Sequence, residues 1–247
     1  MMTFEQLTQR LNKAMVAEYV AVSRQRNPVY TRLSAMSQRQ LSQIAAQYIS
    51  FPENIVSFLY NAGEAARCSG WTAFSQEMDR NIGEEEGSDS GGMTHVNMLL
   101  NGVRETTRLD YAEVQKSQEY ANRMTSTRAF NDAMFHHTKI ADHAMPYIAG
   151  ATYALESTAV PELEIVQDMI RELAARTTGD ETFSPLLQRF FDGHLQTWEV
   201  GHESRLRDAC TQYVLPPMEV EFECGFRATM HTMDSWWNAL AHYSLRG

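Results

Sequence analysis

Helical periodicity is the feature of this chain that most restricts its fold. The run PELEIVQDMIRELAARTTGD over residues 161–180 has apolar residues at spacings of three and four: Leu163, Val166, Ile170 and Leu173. Proline in the first position and Gly179 near the end are typical of helix boundaries. The run therefore predicts a helix that begins at Pro161 and ends at Gly179.

Other segments share this period. A helix is predicted behind a Ser184 cap and Pro185, running to about Val214. The next follows Pro217 and should bury Phe222, Phe226, Met230, Met233, Trp237 and Leu240. Residues 41–60 are predicted as helix broken near Pro52, and residues 74–86 as helix before a glycine-rich loop and a further helix from Met93. Strand-type alternation is missing, so we expect an all-α bundle of about seven helices.

Composition restricts the partners and the number of domains. No linker divides residues 1–247, which predicts a single domain. A net charge of -10 argues against nucleic acid or an anionic membrane, because both need clustered Lys and Arg. Three cysteines without CxxC spacing, no apolar signal segment and no long apolar run predict a soluble, cytoplasmic protein. A homodimer is left open.

Carboxylates and imidazoles recur on three separated helical segments. They are Glu85 and His95, then Glu156, then His194, Glu199 and His202. This ligand set holds Fe(II) while leaving positions open for O2, and a glutamate can bridge two ions. Glu156 follows Ala154 and Leu155, where a buried carboxylate is costly unless it is paired or metal-bound. We therefore predict a diiron site, with Glu84, Glu85 and Glu86 as alternatives for the first ligand.

The spacing in the last segment is irregular. His194 and His202 are eight residues apart, about 80° out of line on a regular α-helix. A bulge near Trp198 would correct this, and such bulges are frequent at functional sites. The alternative is that His194 is a packed core residue and Glu199 and His202 form an exposed pair.

The segment from roughly residue 40 to residue 210 resembles the haem-oxygenase-like diiron oxidases and oxygenases. The resemblance is carried by Phe51-Pro52, by NIGEEEGSDSGGMTH, by YALEST and by FFDGHLQTWEVGHE. It implies a seven-helix bundle without haem, two irons, O2 as co-substrate and an external reductant. From the chemistry of the ligands, we assign Glu85 and His95 to one iron and His194 and Glu199 to the other, with Glu156 bridging and His202 joining the first or the bridge. The family's third ligand helix normally places the acid four residues after the histidine, whereas here Trp198 stands there.

The same resemblance includes N-oxygenases of natural-product pathways and the Chlamydia protein that associates with death domains. It therefore implies N-oxygenation of a small amine or amino-acid-like substrate, supplied with electrons by a donor. The substrate pocket is predicted from Tyr153, Trp198, Phe226 and Arg227, although aromatic residues at helical spacing are usually core.

Three alternatives to N-oxygenation remain open. They are oxidative cleavage of an amino acid or fatty acid by the same irons, a metal-free hydrolase of the thiamine-salvage type, and a binding protein with a degenerate site. Cysteines 68, 210 and 224 would be the candidate nucleophiles of the hydrolase. His136, His137 and His143 form a local cluster that is either a second metal site or a group of surface histidines.

Overall fold

The described part of the chain is helical throughout its regular structure. The computed structural model describes the backbone of residues 3–244, and the side chains of all of these except 118, 119, 122, 123, 199, 200, 243 and 244. Over this range there are α-helices, short 3-10 turns and one π turn, and no strand. The all-α prediction is confirmed. No helix in this part of the chain is long and apolar enough to cross a membrane.

The helices are numbered in chain order. Their bounds are α1 Phe4–Glu18, α2 Gln38–Ile49, α3 Ile55–Ser69, α4 Thr72–Glu85, α5 His95–Thr107, α6 Tyr111–Gln115, α7 Gln118–His137, α8 Met145–Thr178, α9 Pro185–Gly193, α10 Glu199–Thr211 and α11 Glu219–Ser244. The π turn His194–Trp198 joins α9 to α10.

Most predicted boundaries agree with the structure. Ser184 caps α9 by accepting a hydrogen bond from the Leu187 amide, and Pro185 follows it. The 3-10 turn Pro52–Asn54 separates α2 from α3, which confirms the predicted break. The helix after the glycine-rich loop begins at His95 instead of Met93, because Thr94 provides the N-cap.

The predicted start at Pro161 is wrong. This residue lies in the interior of α8, a single helix of 34 residues. Proline cannot donate to the Ser157 carbonyl, so the helix loses one hydrogen bond there. The flanking residues are nevertheless buried, among them Leu155, Leu163 and Val166, and this packing outweighs the local preference for a helix end. Glu156 and Glu162 therefore share one uninterrupted helix.

The centre of the molecule is the contact between α8 and α11. A Cβ atom on Gly150 would lie 1.9 Å from the carbonyl oxygen of Phe222, and one on Gly225 would lie 1.9 Å from that of Tyr147. Glycine is thus required for the two backbones to approach so closely. All six α11 residues predicted to face inward are buried: Phe222, Phe226, Met230, Met233, Trp237 and Leu240.

Candidate metal centre

Three of the predicted ligands meet where α4, α5 and the π turn converge. Glu85 is the last residue of α4, His95 the first of α5 and His194 the first of the π turn. One ligand atom from each lies within 4.8 Å of the other two. Among the described side chains, these three form the group with the types and separations needed to hold a metal ion.

The contacts of His95 fit a metal ligand. Its Nδ1 is buried and lies 3.3 Å from Oε1 of Glu85, but it makes no hydrogen bond. Its Nε2 lies 3.1 Å from Oδ1 of Asp89. A ligating histidine commonly donates its other ring N–H to a carboxylate, so Asp89 would fix the ring while Nδ1 faces an ion. Burial opposes a charge on His95, but Glu85 and Asp89 outweigh burial and raise its pKa.

His194 is held in the neutral form that metals bind. Its Nδ1 donates to the Phe190 carbonyl oxygen at 2.8 Å, so the lone pair of the neutral ring is on Nε2. Burial, aided by the nearby charge of His95, lowers the pKa of His194 to about 3. A neutral imidazole with one nitrogen fixed by a backbone carbonyl is the usual state of a histidine ligand.

His202 lies between two carboxylates. Its Nε2 is 2.6 Å from Oε2 of Glu84, and its Nδ1 is 3.2 Å from Oε2 of Glu156. The Asn81 amide donates to Oε1 of Glu156 at 3.3 Å. An ion on one nitrogen of His202 would leave the other nitrogen to a carboxylate, so this group too fits a metal.

The contacts distinguish the three adjacent glutamates. Glu85 lies with His95 and His194, Glu84 lies with His202, and Glu86 is exposed. Arg80 forms an ion pair with Glu84. Burial would raise the pKa of Glu84, but Arg80 and His202 hold it below its usual range.

Sequence reasoning missed three side chains that support the ligands: Arg80, Asn81 and Asp89. Asn81, Glu84 and Glu85 stand at positions i, i+3 and i+4 of α4, so helical spacing could have identified Asn81 as a neighbour of the ligands. Asp89 follows α4 in an irregular segment, where no period indicates which way a side chain points.

The predicted bulge is confirmed as the π turn His194–Trp198. The wider turn accommodates one extra residue, and His194 and His202 both line the same cavity. The Trp198 ring stacks on His95, with centroids 4.4 Å apart and planes 14° apart. A Cβ on Gly193 would lie 2.3 Å from this indole, so glycine is required there. The Glu199 side chain lies outside the described residues, and its ligation stays a prediction.

A cavity adjoins the candidate ligands. Its polar lining residues are Asn81, Glu85, His95, Glu156, Glu162, His194 and His202, and its apolar ones are Tyr48, Phe51, Pro52, Ile55, Leu59, Val96, Leu155, Ala159, Leu163 and Phe190. A largely apolar cavity with a few polar groups is typical of a small-molecule site.

The four residues of the predicted substrate pocket, Tyr153, Trp198, Phe226 and Arg227, are not among the residues that line this cavity. Tyr153 and Phe226 are fully buried core residues, and the Tyr153 hydroxyl donates to Glu203. Arg227 forms ion pairs with Glu223 and Glu18. Trp198 instead packs against the candidate ligand His95.

The remaining histidines and cysteines lie elsewhere. His137 contacts Thr232 and Tyr147, and the cluster with His136 and His143 does not form a metal-binding group among the described residues. None of the three cysteines lines the described cavity. Cys210 is buried, and burial raises the pKa of its thiol, so it is a poor nucleophile.

Solved structures share the whole fold. A crystal structure described as a CADD-like protein of unknown function from Nostoc punctiforme PCC 73102, at 2.00 Å resolution, is 32% identical with a TM-score of 0.83, covering 98% of each chain. Another structure under the same description, at 1.35 Å resolution, is 31% identical with a TM-score of 0.81, covering 98% of this chain and 96% of that one. No curated protein matches.

The likeness to CADD-like proteins confirms the predicted haem-oxygenase-like bundle. The family model described as "Domain of Unknown Function with solved-structure structure (DUF3865)" matches residues 5–243. Nearly the whole chain, including every candidate ligand, falls within that match. The chain therefore belongs to the DUF3865 family.

Proposed function

We propose that this chain is a non-haem diiron oxygenase that uses O2 and an external reductant to oxidise a small, largely apolar amine. The observation that carries the proposal is the meeting of Glu85, His95 and His194 beside an apolar cavity. N-oxygenation is the reaction we propose, following the family resemblance of the ligand motifs.

The contacts favour a revised division of the ligands. Glu85, His95 and His194 would hold one ion, since their ligand atoms lie together. His202 and Glu156 would hold the second, with Glu199 as the proposed third ligand. Glu156 contacts His202 and lines the same cavity as Glu85, so it would be a shared ligand of the two ions.

The bound irons would supply the electrons and coordination sites that O2 activation requires. The residues of this chain position these ions and keep water away. Asp89 and the Phe190 carbonyl fix the two histidine rings, and Trp198 covers one face of His95. The apolar side chains around the cavity exclude water from the substrate.

The lining also bears on the substrate. Among the described residues that line the cavity, none is Lys or Arg. A fatty acid or an amino acid would bring a carboxylate for which only the metal is a cationic partner. An amine without a carboxylate needs no such partner. Amines are therefore favoured over the fatty acids and amino acids that oxidative cleavage would use.

Anaerobic loading with Fe(II), followed by iron analysis and addition of O2, tests the metal centre. We expect iron uptake and an O2-dependent absorbance change in the wild type. His194→Ala and Glu85→Gln should weaken iron binding by about 10- to 100-fold, whereas Glu86→Gln, an exposed neighbour, should bind iron normally. No uptake by the wild type, or equal uptake by all variants, would contradict the proposal.

A mass-spectrometric screen of amines with Fe(II), reductant and ¹⁸O2 tests the reaction. N-oxygenation predicts products in which nitrogen carries labelled oxygen. Products that contain no label would count against an oxygenase, and label on carbon alone would count against N-oxygenation.

A further inference from the structure

Glu162 is a buried carboxyl group that the metal centre does not use. It is 3% exposed and lines the same cavity as the candidate ligands. Trp237 Nε1 donates to its Oε1 at 2.6 Å. This is its one hydrogen bond among the described residues, so its Oε2 has no hydrogen-bonding partner in this part of the chain.

Such a group is unusual in an apolar wall. A buried carboxylate without a partner costs several kcal/mol unless it is neutral or meets a cation. The other acidic groups of the cavity have imidazole neighbours, since Glu85 lies near His95 and Glu156 near His202. Glu162 has no ion-pair partner among the described residues, and burial raises its pKa to about 7.

Glu162 places a further polar group on the cavity wall, away from Glu156 along α8. Glu162 is six residues after Glu156 on α8, which separates their Cα atoms by about 9 Å along the helix axis. Leu155, Ala159 and Leu163 line the wall on the same face of this helix. Glu162 thus lies on the cavity wall apart from Glu156 along α8, with Ala159 of the same wall between them.

We propose that Glu162 binds a protonated primary amine of the substrate, whose apolar portion extends toward the metal centre. A cation supplies the missing partner for Oε2, while Trp237 holds the other oxygen in place. No Lys or Arg among the described lining residues would repel it. The nitrogen that is oxidised would then be a second amine, at the opposite end of the substrate from the one bound by Glu162; this last point rests on the proposed function.

Binding of n-hexylammonium tests the proposal, with n-hexanol and hexanoate as probes of the same length. Calorimetric titrations compare the wild type with Glu162→Gln, which keeps the shape and can still accept from Trp237. The matched control is Glu164→Gln, which changes a half-exposed carboxylate on the same helix. Circular dichroism establishes that each variant is folded.

We expect Glu162→Gln to weaken hexylammonium binding by about tenfold or more, because a buried charge pair is lost. Hexanol binding should be the same in all three proteins, and Glu164→Gln should bind hexylammonium like the wild type. Equal hexylammonium affinity in Glu162→Gln, no binding by the wild type, or tighter binding of hexanoate would each overturn the proposal.

Metal content separates this proposal from the proposed function. The iron-free and the iron-loaded wild type should bind hexylammonium with the same affinity, because Glu162 is not one of the candidate ligands. Wild type that takes up no iron on anaerobic loading, yet binds hexylammonium through Glu162, would overturn the diiron function alone. Normal iron loading without a Glu162-dependent amine site would overturn the amine site alone.

Discussion

At the scale of single residues, neighbours in sequence have different environments because a helix turns by about 100° per residue. Glu84 contacts His202, Glu85 faces His95 and His194, and Glu86 points to solvent. Composition alone does not distinguish the three glutamates. Their chemistry is decided by which side chains of other helices lie opposite each one.

Glu162 gives a prediction about stability and pH. Burial raises its pKa from 4.5 to about 7 in the folded chain, so between these values the folded state holds a proton that the unfolded state releases. Its contribution to the free energy of unfolding is therefore complete below about pH 4.5 and is lost as the pH rises through 7. The loss amounts to about 3 kcal/mol as an upper estimate.

Urea denaturation of the wild type and Glu162→Gln at pH 5, 6, 7 and 8 measures this. As the pH rises, the free energy of unfolding of the variant should increase relative to that of the wild type, by up to about 3 kcal/mol. Glu164→Gln should parallel the wild type. Parallel profiles for wild type and Glu162→Gln would show that the carboxyl is not protonated in the fold.

At the scale of an element, the π turn allows His194 and His202 to line one cavity although they are eight residues apart. It adds one residue between His194 and His202. The two side chains then point in similar directions, as residues seven apart do in a regular α-helix. Trp198, within this turn, packs on His95. The irregularity thus also supplies a support for a ligand on another helix.

Deleting the exposed residue Gln196 tests this account. The shortened segment would place an acid four and a histidine seven residues after His194, as a regular α-helix requires. We expect Fe(II) binding to be largely retained. Inserting an alanine after Thr197 should instead rotate His202 away and weaken iron binding by about tenfold or more. Loss of binding in the deletion, or retention in the insertion, would contradict this role of the π turn.

The same comparison indicates what sequence can and cannot predict. The bulge followed from two histidines that had to share a face, and the all-α fold followed from apolar spacing. The continuation of α8 through Pro161 could not be predicted from the sequence, because tertiary packing overrides a local helix-end signal. Tyr153 and Phe226 of the predicted substrate pocket have the spacing of core residues, and both are buried in the core.

At the scale of the molecule, α8 packs closely on α11, and α5, α10 and the π turn pack against α8. The close approach of α8 and α11 depends on Gly150 and Gly225. Gly225→Ala would place a methyl group 1.9 Å from the Tyr147 carbonyl oxygen, so the helices must separate. We expect a loss of about 1–3 kcal/mol in the free energy of unfolding, measured by urea denaturation.

Gly83→Ala is the matched control. It also lies in a helix, but a Cβ there meets nothing closer than 3.7 Å. This change should be neutral or stabilise by up to about 1 kcal/mol, because alanine restricts the unfolded chain. Similar destabilisation by both substitutions would indicate that the contact between α8 and α11 is not the cause.

The continuity of α8 has a consequence for selectivity. Glu156 and Glu162 lie on one continuous helix, so no loop movement can change the distance between them. If one is at the reacting end and the other at the anchoring end, a homologous series of amines is sorted by chain length. A substrate one or two methylene groups too short could not reach both ends at once, and turnover should fall sharply on either side of a single optimum.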